Sequence, residues 1–548
     1  MSLSTFVLTF LVAYGVRTYI WPLLKRTDVH RLPGPSSSIA SWIWGHELLA
    51  FQHEAEEMYT AWARSFGPMF RIKAALFHSD IIVATDHAAV QYIFADTTNY
   101  VKSPAFRPPA ANVLGRGLVW AEGEDHAKMR KILAPAFSQE SVKQMASDIY
   151  ECAEKMETKL TNYILSHSGD EAGLTVNIGD WTKIHLIRYN DDNSLDIIGR
   201  VAFGYDFKAI STTGYSEAVS EPVTDASLIR ASWTKHTNMT LSPIAFVVPL
   251  IFRMFPAEWI AKLPLPPGVV RGVVRRLAGR ILEREEEAGA LNAGESVHIG
   301  KSKDIMSLLL NARRTARREH SLTDDQILDN ISTFTMVGHE TTAGSLNFTL
   351  LALARHPHIQ TRLREEILAH GRDSSYDDLQ KLTYLDAVVK EGLRLYPASP
   401  QTERVALKDD VIPLTKPIRG KDGRMIRALK VSKGQVLHIP FTVMQTNPQV
   451  WGPDAGSFNP SRWIEKDGLP APNELPHGWS GLVTFCDGPR NCIGWRLAVF
   501  EFKVILASLI RSFEFHDTSA VIHQKIAPTL QPVTDGKGGL LPLHVTLA

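Results

Sequence analysis

The sequence FCDGPRNCIG occupies residues 485–494 and places a cysteine, Cys492, between two glycines. Gly488 and Gly494 allow the backbone to turn tightly and to approach a flat group closely. From Trp495 onward the apolar residues recur with a helical period, so the Cys492 sulfur would lie near the positive N-terminus of a helix, which favours an ionised thiol. The stretch therefore predicts a tight loop that places Cys492 just before the start of a helix.

The composition describes a large globular chain. It has 548 residues, of which 44% are hydrophobic and 21% charged, and this is too apolar for a disordered protein. Lys and Arg number 59 against 58 Asp and Glu, so the net charge gives no reason to expect nucleic-acid binding. Three cysteines in so long a chain exclude a disulfide scaffold and indicate a reducing compartment. Cys152 and Cys486 are interpreted as small apolar residues with no assigned role.

The N-terminus predicts a membrane anchor. Residues 1–24 form an apolar segment with one charge, Arg17, and positive charges follow it, as in a signal anchor whose body stays cytoplasmic. A buried core helix is the alternative. Residues 25–38 are rich in proline and serine and predict a stiff linker, which leaves 39–548 as one large domain.

One helix dominates the predicted fold. Thr323 with Gln326 three residues later forms a capping box, and no proline follows before Pro357, so the helix spans about 32 residues, or roughly 48 Å. A helix of this length must cross the centre of a large domain. Most of the remaining chain is helical by periodicity, and short alternating segments predict a minor sheet at 69–72, 81–84 and 435–439. The expected fold is mainly α, with a small mixed β-sheet subdomain near the N-terminus (α+β).

The cysteine loop matches F-x-x-G-x-R-x-C-x-G and resembles the haem-ligand loop of the cytochrome P450 family. This resemblance implies that the Cys492 thiolate binds the iron of haem b and that the haem lies between the long helix and the loop. It also implies that Arg490 pairs with a haem propionate and that Phe485 shields the sulfur from water. A buried structural thiol is the alternative for Cys492.

A second similarity concerns charged residues upstream of the loop. Glu391 and Arg394 form E-x-x-R on one helix face, and Arg462 lies in FNPSRW, residues 458–463, which resembles another conserved stretch of the family. The E-x-x-R motif alone is weak, because many solvated helices contain it. Together the segments imply an ion network with a structural rather than a catalytic role.

The centre of the long helix reads VGHETT, residues 337–342, and resembles the family's oxygen-activation motif, although Val337 replaces the usual small residue. The resemblance implies that Thr341 hydrogen-bonds to oxygen and that Glu340 relays protons. Gly338 and Thr341 would locally open the helix. Alternatively, Thr341 bonds back to the previous turn of an ordinary helix.

Three further residues are assigned to the haem propionates by resemblance: His126, Arg130 and Arg404. As an alternative, each could be a solvated surface charge. One departure from the family pattern is a stretch of about ten extra residues, Ile184–Asn193, which could be a loop insertion or an error in the gene model.

The resemblance as a whole implies a haem-thiolate monooxygenase, most like fungal members, that inserts one oxygen atom into a hydrophobic small molecule of terpenoid, steroid or aromatic type. Electrons would come from NADPH through a membrane-bound cytochrome P450 reductase, with cytochrome b5 as a second candidate donor, because no dinucleotide-binding G-x-G-x-x-G unit is apparent in the sequence. The expected location is the endoplasmic reticulum membrane. Two alternatives are a haem-thiolate isomerase or dehydratase that needs no external electrons, and a non-catalytic haem-binding protein.

Overall fold

The fold is described from a computed structural model, which describes residues 27–168, 173–182, 225–260, 268–291, 305–314, 321–371 and 375–548. The predicted anchor at residues 1–24 and the ten-residue departure at 184–193 lie outside the described residues.

Helices make up most of the body. The α-helices are Glu47–Gln52 (α1), Glu57–Phe66 (α2), His87–Ala95 (α3), Arg107–Val113 (α4), Gly123–Leu133 (α5), Gln139–Gln144 (α6), Ala146–His167 (α7), Ile178–Thr182 (α8), Asp225–Thr240 (α9), Pro243–Arg253 (α10), Ala257–Ile260 (α11), Val269–Leu291 (α12), Ile305–Arg314 (α13), Asp324–Arg355 (α14), Pro357–His370 (α15), Tyr376–Leu379 (α16), Thr383–Leu395 (α17), Phe441–Gln445 (α18), Pro448–Trp451 (α19) and Trp495–Ser512 (α20).

The strands are short. They span Met69–Ile72 (β1), Ile81–Ala84 (β2), Tyr100–Lys102 (β3), Gly173–Asn177 (β4), Gln401–Ala406 (β5), Asp410–Arg419 (β6), Met425–Val431 (β7), Val436–Pro440 (β8), Phe513–Asp517 (β9), His523–Ile526 (β10), Leu530–Thr534 (β11), Lys537–Gly538 (β12) and Pro542–Leu547 (β13).

A mixed sheet lies near the N-terminus, in the order β1-β2-β8-β5-β3. Strand β2 pairs in parallel with β8, where Ile82 lies opposite Leu437, and the other pairings are antiparallel. The predicted strands at 69–72 and 81–84 are confirmed as β1 and β2, and the third corresponds to β8. The mainly α fold with a small mixed sheet is therefore confirmed.

The chain also contains sheets that the sequence did not predict. Strands β4, β13 and β9 form one antiparallel sheet, and β10, β11 and β12 form another. In the first of these Gly173 lies opposite Thr546, so the pairing joins distant parts of the chain. Local periodicity carries no information about such partners, because the hydrogen bonds that stabilise a short strand come from its neighbour.

The long helix α14 begins and ends as the sequence predicts. It spans Asp324–Arg355, 32 residues, and Thr323 and Gln326 form the predicted capping box. Its apolar residues Ile327, Ile331 and Leu350 are buried in the largest hydrophobic core. The helix therefore crosses the interior and presents its middle turns to the elements around it.

The described part of the predicted linker packs against the body. Leu32 is fully buried within the hydrophobic cluster around the mixed sheet, and the Arg71 N–H donates to the Pro33 carbonyl at 2.9 Å. From Thr27 onward the chain is therefore fastened to the catalytic body, and the division at residue 38 stays a prediction.

A membrane-spanning element was sought among the described helices. None of them combines the length and the apolarity that crossing a bilayer requires.

Candidate functional site

The cysteine loop is shaped by its glycine and by main-chain hydrogen bonds. Gly488 has φ +68°, and a Cβ there would lie 2.6 Å from the Phe94 carbonyl oxygen, so glycine is required on two counts. The Cys492 N–H donates to the Phe485 carbonyl at 2.8 Å and closes the loop. The Phe485 ring meets Trp479 edge-on at 5.1 Å. These contacts hold Cys492 directly before α20.

The Cys492 side chain is accessible, yet protein atoms crowd it. Desolvation by these atoms raises the pKa of its thiol to about 11, although the Gly494 N–H donates to the sulfur and acts in the opposite direction. The main-chain N–H at the start of the helix therefore favours the ionised thiol, and burial opposes it. Thiolate formation needs a nearby cation, such as a bound metal ion.

The loop and the long helix are joined by one aromatic residue. The Phe137 ring lies 5.5 Å from the ring of Phe334 on α14. On its other side, a Cβ built on Gly494 would lie 3.5 Å from Phe137, which is an ordinary contact. The protein itself therefore does not require glycine at Gly494, in contrast to Gly488. Phe137 thus spans the distance between Cys492's loop and α14.

Buried cations gather beside the loop. Arg490 and Lys102 both approach the Glu122 carboxylate, Arg490 in a close ion pair and Lys102 at 3.8 Å. Arg490 also donates to the carbonyls of Tyr100 and Thr97, both at 2.7 Å. We call Lys102, Glu122, Arg404 and Arg490 the cationic cradle.

Arg404 completes the cationic cradle from strand β5. It is 5% exposed, its Nη1 donates to Thr402 Oγ1 at 2.7 Å, and desolvation lowers its pKa. Desolvation likewise lowers the pKa of Lys102 to about 7, opposed by the attraction of Glu122. The cradle therefore concentrates positive charge that one carboxylate does not balance.

The two residues predicted on α5 occupy different positions. His126 is buried, and desolvation, followed by the charges of Lys102 and Arg490, lowers its pKa to about 3, so it is neutral near the cradle. Arg130 instead donates to the Asn491 carbonyl at 2.6 Å and to the Asn491 side chain. In this structure Arg130 therefore braces the main chain next to Cys492.

The motif at the centre of α14 remains helical. The hydroxyl of Thr341 donates to the Val337 carbonyl at 2.9 Å, within a helix that is uninterrupted from Asp324 to Arg355. The expected local opening at Gly338 is therefore not seen, because the threonine hydroxyl adds a bond to the preceding turn without replacing the helix. Glu340 is 1% exposed, and its Oε1 accepts a hydrogen bond from Gln531 Nε2 at 2.7 Å.

The structure brings the three residues of the ion network together. Arg394 binds Glu391 with two hydrogen bonds of 2.8 Å, and Arg462 Nε lies 3.1 Å from Glu391 Oε1. Glu391 and Arg394 have no exposed surface, and Trp463 donates to the same carboxylate at 3.0 Å. This network lies in the core between α17 and the 3-10 turn Pro460–Trp463.

Sequence reasoning missed three residues at the site: Lys102, Glu122 and Gln531. None of them belongs to a spaced motif. Lys102 is the last residue of the short strand β3, and a lysine in a strand near an aromatic residue is not a functional signal. Each becomes recognisable only through the distant residue that it contacts.

Cys492 and the cationic cradle indicate which kind of group the site can hold. A thiol that ionises only beside a cation and a buried cradle with excess positive charge fit a metal-containing group with acidic substituents, which describes haem and its propionates. A mainly helical protein with this loop and cradle defines the class of haem-thiolate proteins.

Comparison with known proteins identifies the family. The model of the family described as Cytochrome P450 matches residues 33–534. Cytochrome P450 monooxygenase claP of Ampulloclitocybe clavipes is 30% identical over 98% of this chain and 97% of its own length. Cytochrome P450 monooxygenase claO of the same organism is 31% identical over 89% and 88%, and Cytochrome P450 monooxygenase 205 of Postia placenta is 30% identical over 90% and 87%.

The chain therefore belongs to the cytochrome P450 family and is similar to fungal monooxygenases, as the sequence predicted. Its activity class is that of an oxidoreductase. The family carries haem b and uses NADPH electrons delivered by a reductase, so the cofactor prediction is confirmed at the level of the family.

Proposed function

We propose that this protein inserts one oxygen atom into a hydrophobic small molecule of terpenoid, steroid or aromatic type, with electrons from NADPH through a membrane-bound cytochrome P450 reductase and cytochrome b5 as a second candidate donor. One observation carries the proposal. The loop of Cys492 is joined through Phe137 to the helix that bears Glu340 and Thr341, with the cationic cradle beside it.

The residues of the loop and cradle would bind the cofactor. Cys492 would hold the haem iron, and Arg404, Arg490 and Lys102 would hold the propionates by charge-assisted hydrogen bonds. His126 lies close enough to the cradle to join them once acidic groups raise its proton affinity. When bound, a thiolate-ligated haem supplies the activation of dioxygen.

The residues of α14 would supply protons. Glu340 is buried, so a proton that it carries is shielded from bulk solvent. Thr341 donates its hydroxyl proton to the Val337 carbonyl, and this leaves the oxygen's lone pairs to accept a hydrogen bond. A buried carboxyl that can release a proton, and a hydroxyl oxygen on the same helix that can accept a hydrogen bond, are suited to a reaction that consumes protons.

Two alternatives predict different chemistry. An isomerase or dehydratase would rearrange its substrate without external electrons, and a non-catalytic haem protein would yield no product. The buried Glu340 next to Thr341 favours a proton-consuming reaction over both. A dependence on NADPH separates the three functions.

The test is expression in microsomes that contain a cytochrome P450 reductase, with a panel of terpenoids, steroids and polyaromatics. Mass spectrometry should find a product that gains one oxygen only when NADPH is supplied. Product without NADPH would indicate the isomerase. If haem is bound but the whole panel stays unconverted and NADPH is not consumed, the monooxygenase proposal is contradicted.

The Thr341→Ala variant tests the role assigned to α14. It should retain the absorbance of the reduced carbon monoxide complex but release more hydrogen peroxide per NADPH, because the hydroxyl that organises proton supply is absent. Thr335→Ala is a matched control, since Thr335 also bonds back to the helix, at Ile331, 2.8 Å away. Equal peroxide release in the two variants would contradict the role of Thr341.

An apolar surface supports attachment to the endoplasmic reticulum membrane. Trp42 is 82% exposed, Ile244 67% and Trp259 66%. Trp44 and Phe246 meet edge-on at 5.7 Å and join the segment that contains Trp42 to α10, which bears Ile244. Exposed tryptophans are enriched at membrane interfaces, and the predicted single-pass anchor precedes this segment in the chain, separated from it by the predicted linker at 25–38.

The membrane proposal predicts that Trp42 and Trp259 contact lipid. In vesicles with brominated acyl chains, Trp42→Tyr and Trp259→Tyr should each reduce the quenched fraction of tryptophan fluorescence. Trp62→Tyr, which alters a buried residue, serves as the control. Identical quenching in the wild type and the two surface variants would contradict the proposal.

A further inference from the structure

We propose that Gln531, on the C-terminal strand β11, is a positioning residue that holds the Glu340 carboxylate in the orientation needed for proton supply. The inference rests on the proposed function of Glu340. It adds a requirement that the helix motif does not contain, because the orienting group lies 191 residues further along the chain.

Strand β11 is seated directly on α14. A Cβ built on Gly344 would lie 2.8 Å from the Leu530 carbonyl oxygen, so the absence of a side chain on the helix permits this close approach. On the other side, the Leu530 N–H donates to the Ala398 carbonyl at 2.8 Å. The strand is therefore fixed between α14 and the segment after α17, and Gln531 projects from a defined position.

The Gln531 amide fixes one oxygen of the carboxylate. Gln531 has no exposed surface, and its Nε2 donates to Glu340 Oε1 at 2.7 Å and to Thr529 Oγ1 at 2.8 Å. An amide cannot ionise, so it donates at every pH without competing for the proton. Holding one carboxylate oxygen sets the direction of the other, and this orientation is what a proton relay requires.

The other buried carboxyl near the motif approaches from a different side. Glu501, on α20, lies 3.5 Å from the Thr342 hydroxyl. Residues 340 and 342 are two positions apart on the helix and face different directions. A change at Gln531 is therefore expected to act on Glu340 and not on Glu501.

Removal of the donor has a measurable consequence. A hydrogen bond to a carboxylate stabilises its ionised form, so Gln531→Leu should make the Glu340 carboxyl harder to ionise. The infrared carboxyl band of Glu340 is obtained by subtracting the pH titration of Glu340→Gln from that of the parent holoenzyme. In Gln531→Leu its midpoint should rise by about one pH unit.

Two further variants test whether the effect of Gln531→Leu comes from poor folding or from an unspecific change in the sheet. Gln531→Glu keeps the size of the side chain and can be used if Gln531→Leu folds poorly. Because it places a second carboxyl against Glu340, the midpoint of the Glu340 band should rise by more than in Gln531→Leu. Gln524→Leu is the matched control on the neighbouring strand β10, where Gln524 lies opposite Pro532. It should leave the midpoint unchanged.

The outcome separates the inference from the proposed function. The second measurement is the rate of NADPH-driven oxygen consumption with reductase and no added substrate, which Glu340→Gln should lower by about 10²-fold and Gln531→Leu by a smaller factor. An unchanged midpoint in both Gln531 variants overturns the inference alone. An unchanged rate in Glu340→Gln overturns the proton-relay role, and the inference with it.

Discussion

Two buried ionic clusters in this protein have similar compositions. In one of them, which we call the closed cluster, the charged groups are bound entirely by the protein. In the Glu391 network both carboxylate oxygens are bound: Oε1 accepts from Arg394, Arg462 and the Asn459 N–H, and Oε2 accepts from Arg394 and Trp463. The arginines also donate to main-chain carbonyls, such as that of Ala455 at 2.6 Å. The protein satisfies this network by itself.

The cationic cradle is the open cluster, because the protein does not bind all of its charged groups. Lys102 and Arg490 approach the Glu122 carboxylate, whereas Arg404 feels only its longer-range attraction. The Nε of Arg490 has no hydrogen-bond partner among the described residues. Buried charge without compensation is costly, so it persists where a ligand supplies the opposite charge. The closed cluster therefore specifies the fold, whereas the open cluster specifies what the fold can bind.

The largest expected effect is on the closed cluster. Glu391→Gln leaves the buried Arg394 guanidinium without an anion and Arg462 with only its pair to Asp454, which should destabilise the protein by about 3–5 kcal/mol. Urea unfolding would measure this loss, and Glu365→Gln on the exposed face of α15 is the control. An unfolding midpoint equal to that of the parent would show that this network does not hold the fold.

Cys492→Ser should separate binding from folding. The variant should lose the reduced carbon monoxide absorbance that depends on a thiolate ligand, while its far-ultraviolet circular dichroism stays unchanged, because Cys492 lies outside the closed network. Cys486→Ser, six residues earlier in the same loop, should retain the absorbance. Retention of the thiolate signature in Cys492→Ser would contradict the assigned ligand.

Arg404→Leu probes the open cluster. Arg404 donates to neutral acceptors, Thr402 Oγ1 and the Glu403 carbonyl, so its removal strands no carboxylate. Loss of one charge-assisted bond to a propionate should weaken haem retention about 10- to 100-fold, measured as transfer to apomyoglobin. The stability of the fold should change little, and exposed Arg427→Leu is the control. A stability loss as large as that of Glu391→Gln would erase the distinction between the clusters.

The smallest effect concerns pH. Burial lowers the pKa of His438 from 6.5 to about 3, so below pH 6.5 the unfolded chain binds a proton that the folded chain does not, and stability falls as the pH drops. Between pH 7 and pH 5 this group should cost about 2 kcal/mol, a cost that His438→Phe should remove while it keeps the ring stacked on Tyr59.

His126 provides the contrast for that measurement. Its pKa is also lowered to about 3, but it lies beside the open cluster. Added haem should therefore reduce the acid sensitivity due to His126 and leave that due to His438 unchanged. Urea unfolding at the two pH values, with and without haem, would decide this, and an equal response of both histidines would contradict it.

The features that the sequence predicted are local, whereas those that it missed depend on contacts between distant residues. The loop around Cys492, the capping box of α14 and the pair Glu391–Arg394 were predicted because each is written in residues a few positions apart. The desolvation of the Cys492 thiol was not predicted, since helix proximity is visible in the sequence but burial is not. The sheets β4-β13-β9 and β10-β11-β12 were missed because the hydrogen bonds that stabilise a short strand come from a neighbour that local periodicity does not reveal.

The sequence by itself determined the ligand loop, the central helix and the family, because short-range spacing dictates turns, helix ends and shared helix faces. Only the tertiary structure decided that Lys102 and Glu122 belong to the cradle, that Arg130 turns to Asn491 and that Gln531 meets Glu340. These contacts join residues far apart in the chain, and packing and burial, which no local pattern encodes, set both their geometry and their charge.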